Sequence, residues 1–331
     1  MTPFENDSAL NQILVIVGPT ASGKSQLSLE VTSQALQKNI QIELISMDSA
    51  LVYRGLNIGT AKPSMAEQLQ VPHHGIDIRD PWETYSAAQF AKDAARWATE
   101  IRAKGSVPVI VGGTMLYWRA LSQGLTNLPQ SQPEIRLQIA KEAEVIGWPA
   151  MYDRLQVMDP ITASKLPPGD TQRISRALEV YLGSGQPMSS WIAKAPYAPS
   201  RDGSIIKHHL ISLEPNDRQW LHARMAERFL KMLQLGFLEE VASLILNPQI
   251  TPDLPAMRAV GYRQAWQYLR EEINYPDLVS TSLAATRQLG KRQLTWLRAM
   301  PSRIVVDPSL PQVIPQTAAK CVSYIEQHCL R

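Results

Sequence analysis

The chain has 331 residues, 44% of them apolar and 19% charged, a composition that excludes a disordered, collagen-like or coiled-coil protein. At about 150 residues per domain, this length holds roughly two domains. Net charge is +3, from 33 basic and 30 acidic residues, too little by itself to mark a nucleic-acid binder. The two cysteines, Cys321 and Cys329, can neither build a structural zinc site nor staple a whole fold, and they suit a reducing cytosol. Residues 1–12 carry acids and no basic stretch, and no apolar run approaches the roughly 20 residues that cross a bilayer. A cytoplasmic protein without membrane attachment is expected, and nothing in the sequence calls for an obligate protein partner.

Residues 13–17 form a continuous apolar run, β-branched at four of five positions, which predicts a strand buried on both faces of a parallel sheet. Gly18 ends it. A helix over residues 24–37 and a second strand over 42–45 follow, the order of a right-handed crossover. Ser86 and Gln89 make a capping box, and Phe90, Ala94, Trp97 and Ile101 recur at helical spacing, so a helix spans 86–104. Residues 107–111 are a third buried strand, and Gly112, Gly113 and Thr114 turn the chain into a helix near Met115.

After Leu121, Pro129, Pro133, Pro149, Pro160, Pro167 and Pro168 punctuate what read as short helical pieces, with the Pro-rich stretch 187–200 as an exit. Residues 208–213 return as a core strand. From Asn216 the pattern is helical and closes on a short β-branched run, 304–306. The expected fold class is α/β: a P-loop NTPase-like parallel sheet core flanked by helices, contributed by 1–121 and 201–331, with a mostly helical insertion over 122–200. Charge is concentrated late in the chain. Between Arg258 and Arg298 seven basic residues face three acids, a local +4 that leaves about −1 elsewhere.

Gly18-Pro-Thr-Ala-Ser-Gly-Lys-Ser25 fits G-x-x-x-x-G-K-[ST] and sits after a buried strand and before a helix, as a phosphate cradle must. Its glycines let the loop wrap an anion, and its N–H groups and the helix N-terminus supply positive potential. Lys24 then lies on phosphate oxygens and Ser25 holds Mg²⁺. A P-loop ATPase also carries a strand ending in Asp for the metal and a catalytic acid. Here the third strand ends in Gly112-Gly113-Thr114 instead. The acid at a strand end near the cradle is Asp48, open to three roles: supporting Mg²⁺, capping a helix, or accepting a proton from a nucleophile. His73 and His74 lack nearby cysteines and are not expected to bind a metal.

Taken together, the cradle, Asp48-Ser-Ala-Leu-Val-Tyr-Arg-Gly-Leu-Asn-Ile-Gly-Thr-Ala-Lys-Pro63, His73-His-Gly-Ile-Asp77, Gly112-Gly-Thr-Met-Leu-Tyr117, Arg258-Ala-Val-Gly-Tyr-Arg263 and Lys291-Arg-Gln-Leu-Thr-Trp-Leu-Arg298 resemble the tRNA dimethylallyltransferase (tRNA isopentenyltransferase) family. The blocks follow the family's order across residues 13–298. A Cys/His-rich tail like that of eukaryotic relatives is not seen, so the resemblance is to the bacterial form. It implies transfer of a dimethylallyl group from dimethylallyl diphosphate to the exocyclic amine of the adenine just 3′ of the anticodon. The cradle, Gly18, Pro19, Thr20, Ala21, Ser22, Gly23, Lys24 and Ser25, then binds the diphosphate leaving group with Mg²⁺ on Ser25, and Thr20 lies near the prenyl donor. Asp48 is the implied base. Arg224, which with Arg228 shares one helical face, is the implied extra diphosphate ligand; a surface arginine paired with Glu227 or Asp217 is the plain alternative.

The resemblance assigns tRNA contact to Asp48, Ser49, Ala50 and Leu51; to Thr114 and Arg136; and to Gln172, Arg173, Ile174, Ser175 and Arg176. It adds Arg258, Ala259, Val260, Gly261, Tyr262 and Arg263, and Lys291, Arg292, Gln293, Leu294, Thr295, Trp296, Leu297 and Arg298. The insertion and the C-terminal helices would grip the anticodon stem-loop. Spacing supports part of this: Arg173 and Arg176 are three apart, and Arg287, Lys291 and Arg298 fall within about 40° on a helix. Thr114 is equally an N-cap candidate. Two positions depart from many relatives, Leu51 where they have Gln and Ser25 where they have Thr; the serine keeps the metal-binding hydroxyl. A small-molecule P-loop kinase and an adenine-nucleotide isopentenyltransferase are the competing readings.

Overall fold

The structure is a computed structural model that describes residue 10 and residues 12–124, 128–129, 132–194, 206–300 and 302–330. Strand β1, Ile13–Val17, is buried at all five positions. Its side chains alternate between two cores: Ile13, Val15 and Val17 on one face of the sheet, Leu14 and Ile16 on the other. Each such buried side chain stabilises the fold by about 1.5–3 kcal/mol, which is why this run is apolar throughout. Helix α1, Lys24–Leu36, leads to β2, Ile42–Met47, then to α2, Met65–Gln70, and the two-residue edge strand β3, His73–His74. Helix α3, Ala87–Ala103, carries the expected capping box: Ser86 accepts from the Gln89 amide at 3.2 Å and Gln89 from the Ser86 amide at 2.8 Å. Strand β4, Val107–Gly112, feeds α4, Met115–Gln123.

The chain divides into two compact units, Met1–Gly124 with Pro199–Arg331, and Leu125–Ala198. The second unit holds α5, Pro133–Met158, α6, Pro160–Ala163, α7, Thr171–Ser184, and α8, Met188–Lys194. They close on their own core of Ile139, Met151, Leu155, Ile174 and Leu178. The first unit continues with β5, His208–Leu213, α9, Arg218–Gln234, α10, Phe237–Ile245, α11, Tyr262–Leu269, α12, Tyr275–Arg298, β6, Arg303–Val306, and α13, Val313–His328. Among the described residues one six-stranded sheet runs β3-β2-β4-β1-β5-β6, with every pairing parallel. Helices α1 and α13 cover one face and α3, α4 and α9 to α12 the other. Ligands of open parallel sheets bind beyond the strands' carboxyl ends, and the Gly18 and Gly113 turns both lie there.

Some expectations need correction. Not among them are the short pieces around Pro149, for α5 is two helical runs parted at Gly147 (φ 79°, ψ 157°). The break puts Pro149 in a first turn, where its missing N–H is harmless. Strand 42–45 runs on to Met47 and α4 to Gln123. The chain does not close on β6: α13 follows and packs Ile314, Ala318, Cys321, Val322 and Ile325 against α1's side of the sheet. Helix α2 and strand β3 carried too little periodicity to be read. Of the expected exit over 187–200, residues 188–194 are α8, and residues 195–200 lie outside the described residues.

Candidate active site

The cradle follows from the end of β1. A Cβ on Gly18 would fall 2.5 Å from Ser22 Oγ and 2.9 Å from the Leu213 carbonyl, so glycine alone fits. Ala21 (φ 62°) and Gly23 (φ 96°) both take the left-handed conformation, a cost for alanine that the loop imposes where it curls. Lys24 Nζ donates to the carbonyls of Gly18 at 3.0 Å and Pro19 at 2.8 Å, folding over the loop. Burial lowers its pKa to about 8; Asp48 raises it and Arg228 lowers it further. Ser22 Oγ is buried with no hydrogen-bond partner among the described residues.

Lys24, Ser25 and Asp48 line one cavity of about 630 Å³, together with Thr20, Ala21, Leu51, Thr114 and Arg228. Asp48 leaves β2 into a turn in which its Oδ1 accepts from the amides of Ala50 at 2.8 Å and Leu51 at 3.4 Å. Its Oδ2 takes no hydrogen bond among the described residues. Thr114 sits at the N-cap of α4, but its hydroxyl does not cap the helix. Instead Thr114 Oγ1 accepts from the Ser49 amide at 3.0 Å, lacing the Asp48 loop to the turn after β4. That turn comes close because Gly112 leaves no room: a Cβ there would lie 2.0 Å from the Met47 carbonyl oxygen.

Helix α9 supplies two arginines. Arg228 Nη2 donates to the Thr60 carbonyl at 3.0 Å, and its guanidinium feels Asp48. Arg224 lies outside the cavity lining, where Nε donates to the Ala21 carbonyl at 3.0 Å and the guanidinium covers the Trp220 ring. Among the described residues neither Glu227 nor Asp217 pairs with it, and Asp217 instead caps α9 by accepting from the Gln219 amide. Glu240 of α10 went unnoticed in the sequence. Its carboxylate accepts from the amides of Asn57 at 2.9 Å, Ile58 at 2.7 Å and Gly59 at 3.2 Å, and from the Tyr262 hydroxyl at 2.5 Å. It thereby holds the loop whose Thr60 carbonyl receives Arg228. No spacing rule links residue 57 to residue 240, so no local signal could have revealed it.

Against known proteins, residues 51–300 match the family model described as IPP transferase. The chain is 52% identical to the tRNA dimethylallyltransferase of Polynucleobacter necessarius, over 95% of each chain. Among solved structures it is similar to the tRNA delta(2)-isopentenylpyrophosphate transferase of Staphylococcus epidermidis, with a TM-score of 0.67 and 30% identity over 96% of this chain and 99% of that one. A eukaryotic dimethylallyltransferase solved acting on tRNA matches with a TM-score of 0.72 and 25% identity, over 96% of this chain and 79% of that one. This chain belongs to the tRNA dimethylallyltransferase family. It is a transferase with the family's P-loop-like fold, and the relatives favour prenyl transfer over the kinase reading.

The positions that resemble this family's tRNA contacts are not equivalent in space. In the Arg258 block, Arg258, Ala259, Val260 and Gly261 line the cavity. Tyr262 also borders the cavity but is otherwise buried edge-on to Phe237, with its hydroxyl pKa driven up by burial and Glu240; Arg263 is exposed. On α12, Arg292, Gln293 and Trp296 line the cavity, Leu297 is core, and Leu294 packs against the core. Lys291, Thr295 and Arg298 are exposed. The Arg287, Lys291 and Arg298 stripe lies roughly 160° around the helix from the cavity-lining Thr286, Leu289, Gln293 and Trp296. In the second unit Ile174 is core, Gln172 and Arg173 are exposed, and Ser175 is half-buried. Arg176 reaches the buried Glu179 at 3.2 Å and the Pro129 carbonyl at 2.7 Å, while exposed Arg136 lies 3.8 Å from Glu179. Arg173 pairs with Asp170.

Among the described residues no group of three or more His, Cys, Asp or Glu could hold a metal, and none of the helices is long and apolar enough to cross a membrane. His74 Nε2 lies 2.7 Å from the Glu43 carboxylate and His73 Nδ1 2.6 Å from the Val71 carbonyl.

Proposed function

We propose that the chain transfers a dimethylallyl group from dimethylallyl diphosphate to the exocyclic amine of the adenine just 3′ of a tRNA anticodon. The observation that carries this reading is one cavity joining an anion cradle, two cations from distant segments and a carboxylate with an uncommitted oxygen. As the allylic C–O bond breaks, negative charge grows on the diphosphate, where Lys24, Arg228 and the loop amides stabilise it; Arg224 reaches it from the rim. The adenine nitrogen attacks the allylic carbon, the C–N bond forms, and its proton passes to Asp48. A positioned base is worth about 10²- to 10⁴-fold.

The donor set also fits Mg²⁺, which keeps several waters and needs few protein ligands beside phosphate oxygens. Exposed Ser25 on the cavity wall would hold it, and its chemistry there is neutralisation of diphosphate charge. The target adenine must leave the anticodon stack, at a cost of a few kcal/mol. In this reading 1–121 and 201–331 form the catalytic core with C-terminal tRNA-binding helices. The insertion, 122–200, grips the stem-loop through Arg136, Gln172 and Arg173, with the enzyme working in the cytoplasm beside its tRNA. Ser49, Ala50, Leu51, Thr114, Arg258 and Trp296 line the entry for the extruded base.

The test is a single-turnover assay with donor labelled in the allyl group, an anticodon stem-loop RNA and Mg²⁺. Label is expected on the RNA with release of diphosphate. Brisk cleavage of nucleoside triphosphate with no label on RNA would overturn the reading.

A further inference from the structure

We propose that Gln293 is a positioning residue that pins the phosphate cradle to the turn after β4, and is not a tRNA contact. The inference rests on the proposed donor site and separates one residue from the basic block around it. Gln293 Oε1 accepts from the Thr20 amide at 2.9 Å, and Gln293 Nε2 donates to the Gly113 carbonyl at 3.0 Å. One amide side chain thus uses its acceptor and a donor on two loops that are far apart in sequence, and a neutral amide carries both on one short planar group.

The backbone around it is shaped for that contact. A Cβ on Gly113 would lie 2.5 Å from Gln293 Nε2 and 3.2 Å from the Gly18 carbonyl, so any other residue there would displace the glutamine or the cradle. At Gly290, one turn earlier on α12, a Cβ would meet Met225 at 2.5 Å and lie 3.9 Å from Pro19. Gly290 therefore lets α12 pack against Met225 of α9 beside the cradle, and Gly113 leaves the room through which Gln293 reaches. Thr20 is a cradle residue that the family resemblance puts near the prenyl donor. Fixing its amide sets where the allylic carbon stands relative to the attacking nitrogen, a placement to which rates are steeply sensitive. The neighbouring Lys291 and Arg298 point away from the cavity and are free to meet phosphate.

The experiment compares wild type, Gln293→Met and the double variant Lys291→Ala, Arg298→Ala, each checked for cooperative melting. Wild-type prenyl transfer is measured first, since its absence would defeat the functional reading itself and not this inference. Gln293→Met is expected to weaken binding of inorganic pyrophosphate and raise the donor KM roughly tenfold, the effect of two lost hydrogen bonds, with tRNA Kd and its salt slope within twofold of wild type. The double variant should do the reverse. Weakened tRNA binding in Gln293→Met with pyrophosphate binding intact would overturn the proposal, as would no change in either. Hydrogen exchange of wild type supplies a readout independent of any variant: the Thr20 amide should be protected without donor, and rapid exchange there would equally overturn the assignment.

Discussion

The phosphate cradle and the rest of the cavity wall use the chain in contrasting ways. The cradle is eight consecutive residues between one strand and one helix, and most of what shapes it is local, with glycines at the tight points and Lys24 folded over its own loop, while the Thr20 amide is tied to Gln293 of α12. The remaining wall is gathered from the Asp48 loop, the loop at Gly59, Arg228, the Arg258 block and α12. Anion binding can therefore be carried by a short motif, whereas placing a nucleophile and its base needs long-range contacts. Variants can break either half alone, and the sizes of their effects sharpen the contrast.

The largest effect is expected at the junction of the two halves. Asp48→Asn should lower the chemical rate about 10²- to 10⁴-fold while tRNA affinity stays within a fewfold; single-turnover transfer with saturating RNA measures it, and an unchanged rate removes Asp48 as base. Next comes the assembled wall. Glu240→Gln replaces a pure acceptor with a group whose NH₂ faces backbone amides, so about 1–3 kcal/mol of folding stability should go. Chemical denaturation checks this. Donor KM should rise with it, because Arg228 rests on Thr60 of the loop that Glu240 holds.

A pH profile isolates the cradle. Burial has lowered the Lys24 pKa to about 8 in the donor-free protein, so the ammonium form is lost as pH rises through that value. kcat/KM for the donor reports the free enzyme and should fall by up to about tenfold per unit above pH 8. Bound diphosphate favours the charged lysine, so kcat should hold to higher pH. A kcat/KM profile flat to pH 9.5 would remove Lys24 as the titrating ligand.

The same contrast explains what was legible in the sequence. Strands β1, β4 and β5 and helix α3 could be read because buried runs and a capping box are local signals, and the cradle because its motif is contiguous. Asp48 was visible as an acid at a strand end, but its three roles could not be separated by spacing, since what singles it out is its shared cavity with Lys24 and Arg228. Thr114 looked like a helix cap and proved to be a tie between loops. Glu240 and the clamp made by Gln293 bridge 181 or more and 180 or more positions respectively. Leu297 fell inside a block read as RNA contacts, yet it is core; a contiguous block cannot say which residues of a helix turn inward.

The smallest effect tests that inward and outward division on α12. Arg287, Lys291 and Arg298 are exposed and take part in none of the ion pairs among the described residues. Fully hydrated cations of this kind contribute little to stability but release counterions when they meet phosphate. Replacing Lys291 and Arg298 with alanine should leave the melting temperature and the donor KM unmoved. At low salt, tRNA affinity should drop, and the slope of log affinity against log salt should flatten by about 0.7 to 0.9 for each lost phosphate contact. A filter-binding series from low to moderate salt reads this directly. An unaltered slope would mean that this face is only solvated, and the grip on RNA would then fall to the cavity-facing Arg258 and Arg292, whose loss would slow chemistry as well as binding.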